Sequence, residues 1–300
     1  MSNIPERQND EQLLRYLAAQ RQLYTEDKRW GYGWLIAVAV VTALGTLLQI
    51  LLPQMTALAN FGVLLAAIIG VIVSTYSQHR IEAAAVQEIF DSTLFELDWN
   101  KTLAEKPDET LVARAVERFR GRKEWAQASA LLRNWYENSY VKNEPLVKAR
   151  IACQMENIGY SHRLRRLWAA WTIVAAVLLF ALLLFIGLGA GWTLSLLFLG
   201  PMPLFAPLLL GALQNSAQHL QAANRLDRLS RVAQILWHDT QAGHVVEPVL
   251  TQRARELQDE IYHMRRTYLP VPDWWYRLLR KLNPPPPPVQ KTGSTPTAQQ

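Results

Sequence analysis

The side chains most able to catalyse a reaction or bind a metal are six histidines and one cysteine. The histidines form no HExxH or comparable metal-binding pattern. The chain also has no GxSxG nucleophile elbow, no GxxxxGKS/T phosphate loop and no GxGxxG dinucleotide motif. Gly121-Arg122-Lys123 lacks the glycine-rich loop of a phosphate site, and a helix stop is the simpler interpretation. The sequence therefore predicts no enzyme, no metal and no cofactor.

Charged residues are absent from two long stretches of the chain. From Trp30 to His79 there is no Asp, Glu, Lys or Arg, and the same is true from Leu167 to Asn224. A soluble helix must expose charge on its wet face, so uncharged stretches of this length indicate membrane spans. Two buried soluble hairpins are the alternative. Within the spans, the lack of acidic, basic and histidine side chains argues against a proton-coupled transporter or an intramembrane protease.

Each uncharged stretch is long enough for two crossings at about 20 residues apiece. The sequence therefore predicts an all-α membrane protein, with four transmembrane helices in two hairpins and a cytoplasmic helical domain. The connecting turns lack Lys and Arg while the flanks are basic, which places both termini and the middle segment in the cytoplasm. Hairpin 1 covers residues 30–79 with spans at 34–52 and 57–76, and hairpin 2 covers residues 167–213 with spans at 167–188 and 194–213.

The remaining segments are predicted to be cytoplasmic and mostly helical. No alternation of period two lasts long enough to indicate a sheet. The segment at 214–282 has two apolar stripes at helical spacing, which favour an intrachain helical hairpin or pairing between subunits. The segments are an N-terminal helix at 1–29, a helical region at 80–166, a hairpin with an amphipathic helix at 214–282, and a Pro-rich disordered tail at 283–300.

Three local patterns refine these segments. Asn9 and Gln12 resemble a capping box at the start of the first helix, and residues 124–137 read as a helix in the middle segment. The amphipathic helix carries Trp274 and Trp275, so it could lie in the inner-leaflet interface or cap the cytoplasmic bundle. Deleting the residues before Trp30 is expected to leave the spans inserted but to disrupt regulation or assembly.

The spans also carry small, polar and proline residues at suggestive spacings. Small residues at every fourth position let another helix approach closely. Polar groups on one side of the first span could line a water-filled path after the subunits assemble, or they could bond to neighbouring helices. Prolines in the fourth span could act as a hinge, although proline is common in membrane helices generally. The three sets are Gly62, Ala66 and Gly70; Thr42, Thr46 and Gln49; and Pro201, Pro203 and Pro207.

Five segments occur in a fixed order, interleaved with the two uncharged hairpins. They are NIPERQNDEQLLRYLAAQRQLYTEDKR, IFDSTLFELDWN, LLRNWYENSY, ARIACQMEN and YHMRRTYLPVPDWWYRLLRK. This arrangement resembles the SMODS-associating four-transmembrane effector family, predicted pore-forming proteins encoded beside nucleotide-second-messenger synthetases in bacterial antiphage (CBASS-type) systems. The resemblance covers nearly the whole chain, up to about Leu282.

The resemblance implies an antiviral defence effector in the bacterial inner membrane. A partner synthetase would make a cyclic oligonucleotide, which binds the cytoplasmic helices. The subunits would then rearrange as a homo-oligomer in the lipid bilayer and permeabilise it, which stops the infected cell in an abortive infection. Four uncharged spans cannot enclose a wide pore alone, so an oligomer is required. A non-conducting scaffold or receptor and a small transporter are the alternatives, and no nucleic-acid duplex is implied as a partner.

A cyclic oligonucleotide needs cations for its phosphates and flat side chains for its bases. If the resemblance holds, the middle segment supplies both, and the N-terminal helix could add to them. For each residue, a structural hydrogen bond or a helix-surface charge is the alternative role. The candidate ligand residues are Arg133, Trp135, Tyr136, Arg150, Gln154 and Asn157, with Arg7 and Asn9 as additions.

Overall fold

The structure is a computed structural model of the whole chain. It describes residues 2–55, 57–58, 60–65, 68, 77–136, 141–142, 144–189, 191–193, 195, 201–242 and 246–282. Helices and connecting turns, with no strand, make up these described ranges, so the predicted all-α class is confirmed. The helices are α1 (Ile4–Arg7), α2 (Glu11–Leu51), α3 (Gln78–Phe95), α4 (Glu109–Arg120), α5 (Trp125–Ala130), α6 (Leu146–Gly189), α7 (Pro201–Ala242), α8 (Glu247–Thr267) and α9 (Asp273–Leu282), with a 3₁₀ turn at Pro53–Met55.

Three helices are much longer than the rest. Helices α2, α6 and α7 have 41, 44 and 42 residues. At 1.5 Å per residue each is about 60 Å long, twice the thickness of a bilayer core. One part of each helix is charged and packs into a core, and the other part belongs to an uncharged stretch. Each long helix therefore joins the charged helical domain directly to a predicted span.

The uncharged parts of these helices expose their apolar side chains. Leu44 is 60% exposed and Phe185 is 76% exposed, whereas Leu17 in the charged part of α2 is fully buried. Among the described residues, one helix, α6, is long and apolar enough to cross a membrane, and 12% of its most apolar window is buried. The four-span arrangement is not confirmed by this finding and remains a prediction.

The helical core is formed by the charged halves of the long helices together with α3, α4 and α8. An apolar stripe on α4 explains its place in this core, because Val112, Ala115 and Phe119 fall on one face of the helix and are buried. Leu226 of α7 and Ile261 of α8 belong to the same buried cluster. Packing of these faces provides the rigid frame that positions the candidate site.

Two local expectations are wrong. Asn9 does not cap the first long helix, because α2 begins at Glu11 after Asp10, and a short separate helix, α1, precedes it. The helix expected at 124–137 is much shorter, since α5 ends at Ala130 and residues 131–136 form turns and irregular backbone. The name "131–136 turn" is used for this segment below.

Candidate ligand and coupling site

A buried carboxylate, that of Asp91 on α3, lies at the centre of the helical core. The hydroxyl of Tyr136 donates to Asp91 Oδ1 at 2.7 Å, and Nη1 of Arg265 donates to Oδ2 at 2.6 Å. Asp91 is fully buried, and a buried charge is tolerated only when it is paired and hydrogen-bonded. Three of the sequence motifs therefore converge here, since Asp91, Tyr136 and Arg265 each come from a different motif.

A second carboxylate, that of Glu88, extends this network by one helical turn along α3. Nε2 of Gln258 donates to Glu88 Oε2 at 2.8 Å and to Asp91 Oδ2 at 3.2 Å, and Nη2 of Arg255 donates to Glu88 Oε1 at 2.5 Å. Burial raises the pKa of Glu88 to about 7 against the opposing charge of Arg255, and Asp91 adds to the rise. Burial and Asp91 also raise the pKa of Tyr136. The network therefore holds one carboxyl that titrates near neutral pH.

Helix α6 joins the network through two amide side chains. Nε2 of Gln154 donates to the backbone oxygen of Ala254 at 2.9 Å and to Gln258 Oε1 at 3.1 Å. Nδ2 of Asn157 donates to the hydroxyl of Tyr136 at 3.0 Å. The network thus links α3, α6, α8 and the 131–136 turn. Displacement of any one of these elements would therefore alter the hydrogen bonds of the others.

The N-terminal segment holds the 131–136 turn through paired amide contacts. Nδ2 of Asn9 donates to Asn134 Oδ1, and the backbone N–H of Asn134 donates to Asn9 Oδ1, both at 3.0 Å. The backbone N–H of Tyr136 donates to Gln8 Oε1 at 2.8 Å, and Nε2 of Gln8 donates back to the Tyr136 carbonyl at 3.3 Å. Side chains of the N-terminal segment therefore replace the regular backbone bonds that this turn lacks.

The end of α3 is held by two arginines. Arg7 forms an ion pair with Glu96, and its Nη2 donates to the carbonyl of Thr93 at 2.9 Å. Nε of Arg150 donates to the carbonyl of Phe95 at 2.7 Å. Cations at a helix carboxyl end satisfy free carbonyls and complement the helix dipole.

Two residues with left-handed backbone flank this region. Glu96 has φ 53° and Asn134 has φ 50°, and among the described residues no other position apart from glycine has a positive φ. Such a conformation is uncommon for glutamate and better tolerated by asparagine. Arg7 contacts the first and Asn9 contacts the second. The N-terminal segment therefore bonds to both unusual backbone positions.

The structure brings most of the predicted ligand residues to this side of the bundle. Tyr136, Arg150 and Gln154 are buried and bonded within the chain, and Arg7, Asn9 and Asn157 are partly buried and bonded. Trp135 is partly buried against the core, and Arg133 is exposed. Their role in ligand binding remains a prediction. Cys153 is buried beside them, and burial raises its pKa above the usual range of a thiol.

A second polar cluster lies around the linker between α8 and α9. Three carbonyls of this linker each accept a hydrogen bond from a different part of the chain. Nη1 of Arg80 donates to Thr267 O at 3.2 Å, and Nη1 of Arg165 donates to Leu269 O at 2.9 Å. The hydroxyl of Tyr32 donates to Pro270 O at 2.9 Å. We call residues 267–272 the coupling linker.

Each donor to the coupling linker lies at the end of a predicted span, next to the charged part of the chain. Tyr32 precedes span one, Arg80 follows span two and Arg165 precedes span three. His219 follows span four, and its ring nitrogens lie 3.3 Å from Arg165 Nη1 and 3.4 Å from the Tyr32 hydroxyl. Burial, followed by Arg165 and Arg80, lowers the pKa of His219 well below its usual range, so the ring is neutral at pH 7. The linker therefore connects α8 to the ends of the predicted spans.

A comparison with protein families now identifies the chain. The model of the SMODS-associating 4TM effector domain matches residues 2–284. The chain belongs to this family. The resemblance read from the sequence motifs is thereby confirmed, and so is a membrane-associated effector role linked to SMODS-type nucleotide second-messenger systems. A comparison with curated proteins and one with solved structures find no match.

Helix α9 of this 4TM effector packs against α6 and α2. Nε1 of Trp275 donates to the carbonyl of Leu164 at 3.3 Å, and Lys28 Nζ lies 2.6 Å from Asp273 Oδ1. The ring centroids of Trp168 and Trp275 lie 5.5 Å apart. Trp275 is buried, but Trp274 is 48% exposed. One edge of α9 thus caps the bundle, and the other edge presents an aromatic ring outwards.

Sequence reasoning missed several members of the 4TM effector's polar network. Asp91 and Glu88 were not singled out, nor were Gln258 and Arg265, although all four are buried. A usable signal was present, because Asp91 lies in a run with Ile89, Phe90, Leu94 and Phe95, where a charge has to be buried with its apolar neighbours. Among the described residues, no group of three or more His, Cys, Asp or Glu could hold a metal ion.

Proposed function

We propose that this 4TM effector permeabilises the bacterial inner membrane as an oligomeric pore when a cyclic oligonucleotide binds its cytoplasmic helices. Membership of an effector family associated with SMODS systems supports the defence role. The two uncharged stretches support four spans, and their lack of charge implies that several copies are needed to enclose a pore. A SMODS-type nucleotide synthetase is the functional partner that would supply the ligand.

The observation that carries the proposal is the path from the Asp91 network to the coupling linker. Arg265 binds Asp91 in the core, and two residues later Thr267 begins the linker that Arg80, Arg165 and Tyr32 hold. A ligand that repacked the network would therefore move the linker, and with it the ends of the spans. Such a ligand acts by binding one packing of these helices more tightly than the other.

The proposed ligand site is the face where α1, the 131–136 turn and α6 meet the end of α3. Exposed Arg133 offers a cation, and partly buried Trp135 offers a flat ring. The remaining candidates are held by bonds within the chain, so ligand binding must replace some of those bonds. In the resting arrangement these side chains bond within the chain, and in the ligand-bound arrangement some of them bond to the ligand instead.

The proposed pore depends on residues in the predicted spans. Thr42 is buried, as is expected of a polar group that faces other helices. Pro207 lies inside α7, where it removes one helical hydrogen bond and could permit bending. Pro201 and Pro203 lie in the first turn of α7, and Gly62 is helical. The side chains of Thr46 and Gln49, and residues Ala66 and Gly70, lie outside the described part of the chain.

Leakage from liposomes tests this function. The purified protein is placed in dye-filled vesicles and treated with single cyclic di- and trinucleotides, and dye release is measured together with oligomer size. We expect one nucleotide to cause release, and the Arg133→Gln/Trp135→Ala double variant to need about tenfold or more of it, since a charge-assisted bond is worth about 1.5–3 kcal/mol. Arg253→Gln, an exposed charge at the far end of α8, is the matched control.

Two results would contradict the proposal. Nucleotide binding and assembly without release of dye or ions would indicate a scaffold or receptor that relays the signal. Gradient-dependent solute uptake without toxicity on activation would indicate a transporter. Protease and cysteine-labelling accessibility in inner-membrane vesicles checks the proposed topology, in which both termini are cytoplasmic.

A further inference from the structure

A cluster of cations forms where α2, the turn after α4 and α9 come together. Nε of Arg122 donates to Gln22 Oε1 at 2.6 Å, which fixes the turn after α4 on α2. Lys28 Nζ lies 2.6 Å from Asp273 Oδ1, which fixes α9 on the same helix. Within this cluster, the pKa of Asp273 is lowered by Lys28, Arg21 and Arg277 against the effect of burial. The cluster, called the basic cluster here, consists of Arg21, Lys28, Arg29, Arg122 and Arg277.

The charges of the basic cluster are not balanced within the described part of the chain. Lys28 pairs with Asp273, and neighbouring Arg118 pairs with Glu26. No carboxylate of the described residues lies within 4.0 Å of the other four guanidinium groups. Those four groups belong to Arg21, Arg29, Arg122 and Arg277.

Arg122 is the most constrained member of the basic cluster. Its guanidinium carbon lies 5.3 Å from the centre of the Phe119 ring, and its Nη2 is buried with no hydrogen-bond partner. Burial, together with Arg29 and Arg21, lowers the pKa of Arg122 from its usual value. A buried unpaired donor among like charges is unfavourable, and a bound anion is a common reason for such an arrangement.

The position of the basic cluster indicates where the anion comes from. Arg29 is the last charged residue before Trp30, where the first uncharged stretch begins. Trp274 of α9, whose neighbour Asp273 contacts the cluster, is 48% exposed. Tryptophans and arginines at the end of a span lie at the level of the lipid headgroups, and the inner leaflet is negatively charged. Guanidinium groups suit phosphate because they bind it through two parallel hydrogen bonds.

We propose that the basic cluster is a binding site for a phosphate-bearing anion, supplied by the headgroup of an anionic lipid of the inner leaflet. Arg122 binds the phosphate from the turn after α4, while Arg21 and Arg29 bind it from α2. A headgroup held in this way bridges α2 and the turn after α4, which the Arg122–Gln22 bond already brings together. The site is independent of the proposed pore, since a chain that conducts no ions could bind lipid in the same way.

The test measures the thermal unfolding of the full-length protein in a neutral, phosphate-free detergent. Short-chain phosphatidylglycerol is titrated against short-chain phosphatidylcholine, and inorganic pyrophosphate forms a third arm. We expect phosphatidylglycerol alone to raise the unfolding midpoint with saturation, and the effect to weaken as salt is added. Arg122→Gln should raise the apparent Kd for phosphatidylglycerol about tenfold or more, and Arg253→Gln should leave it unchanged.

Additional variants keep the result interpretable if Arg122→Gln folds poorly. Arg122→Lys retains the charge and should lose part of the affinity, and Arg277→Gln alters an exposed residue of the same cluster. A saturable shift with pyrophosphate that is equal to the lipid shift would support the anion site but overturn the lipid as its occupant. No shift with either anion, or equal losses in Arg122→Gln and Arg253→Gln, would overturn the proposal.

Discussion

The hydroxyl of Tyr136 connects two helices through one oxygen atom. It donates to Asp91 on α3 and accepts from Asn157 on α6. Removing this oxygen leaves the buried Asp91 carboxylate and the partly buried Asn157 amide with one bond fewer each. A buried polar group that loses its partner costs about 1–3 kcal/mol, more than an exposed bond contributes.

Tyr136→Phe should therefore lower the free energy of unfolding by about 1–3 kcal/mol. Denaturant titration in detergent micelles measures this change. Tyr16→Phe is the matched control, because the Tyr16 hydroxyl makes a longer bond of 3.3 Å to Glu109 in a part-buried position. An equal or smaller loss in Tyr136→Phe than in the control would show that the network does not stabilise the fold.

The buried carboxyl of Glu88 makes the free energy of unfolding depend on pH, and its raised pKa sets the direction of that dependence. Its pKa is about 7 in the folded chain and 4.5 in the reference state. Between these values the unfolded chain releases a proton that the folded chain keeps, so the free energy of unfolding falls as the pH rises from 4.5 to 7. At about 1.4 kcal/mol per pKa unit, the loss is at most about 3 kcal/mol and is complete above pH 7.

Glu88→Gln should remove this part of the pH dependence. The difference in unfolding midpoint between Glu88→Gln and the unaltered chain is followed from pH 5 to pH 8, which cancels the titration of groups common to both, such as His219. Glu256→Gln changes an exposed carboxyl on α8, the helix that carries Arg255 and Gln258, and should not alter the slope. Parallel pH profiles for the unaltered chain and Glu88→Gln would contradict the assignment.

At this scale the sequence indicated some residues of the network but neither its buried carboxylates nor the partners of the residues it did indicate. Tyr136, Gln154 and Asn157 were singled out by residue type and family motif, and they lie in or beside the network. Asn9 was read as a helix cap, yet its side chain bonds to Asn134, 125 residues away. A local pattern cannot distinguish these two roles, because both require an amide at a helix entrance.

The coupling linker is the element that joins the charged helices of the core to the ends of the predicted spans. Its carbonyls are held by Arg80, Arg165 and Tyr32, and its Leu269 side chain lies against Gly31 of α2. A Cβ atom at Gly31 would lie 2.7 Å from Leu269 Cδ1, which is closer than packed carbon atoms approach. The absence of a side chain at Gly31 therefore permits this contact.

Gly31→Ala should displace the coupling linker and lower the free energy of unfolding by about 1–3 kcal/mol, the usual cost of overpacking. Gly33→Ala is the matched control, because nothing lies within 4 Å of its Cβ position and alanine favours a helix. Leu269→Ala added to Gly31→Ala should restore part of the loss. Thermal unfolding of the unaltered chain, Gly31→Ala, Gly33→Ala and the Gly31→Ala/Leu269→Ala double variant measures these changes in stability. Equal effects of Gly31→Ala and Gly33→Ala would show that the contact has no role.

Element boundaries were harder to predict than element type. The sequence placed a helix at 1–29 and a span from residue 34, whereas the structure has one continuous helix from Glu11 to Leu51. Charge alone marks where a helix enters the membrane, but it does not break the helix. The short α5 differs for another reason, because the left-handed backbone at Asn134 ends any helical path through the 131–136 turn.

At the scale of the molecule, contacts between distant segments decide the arrangement. Ser2 bonds to the carbonyl of Glu144, and Lys28 pairs with Asp273. The spans remain a prediction from the two uncharged stretches, which depend only on composition along the chain. Composition could not predict which charged helices meet, because that depends on the packing of side chains from segments more than 100 residues apart.

The N-terminal segment has two separable roles in this arrangement. Residues such as Leu13, Leu17 and Leu23 are buried in the core, so deleting everything before Trp30 would remove part of the core itself. Residues 2–9 add one core side chain, that of Ile4, and the contacts of Arg7, Gln8 and Asn9 with the end of α3 and the 131–136 turn. Deleting only these residues is the sharper test of regulation.

A chain that lacks residues 2–9 should insert into membranes normally, because the uncharged stretches are intact. The ratio of liposome leakage with nucleotide to leakage without it should fall towards one, since the deletion removes bonds that hold the 131–136 turn and two proposed ligand residues. A chain that lacks residues 285–300, which lie beyond the family match, is the control and should respond fully. An unchanged response after deletion of residues 2–9 would mean that these contacts only stabilise the fold, and that the ligand acts elsewhere on the cytoplasmic helices.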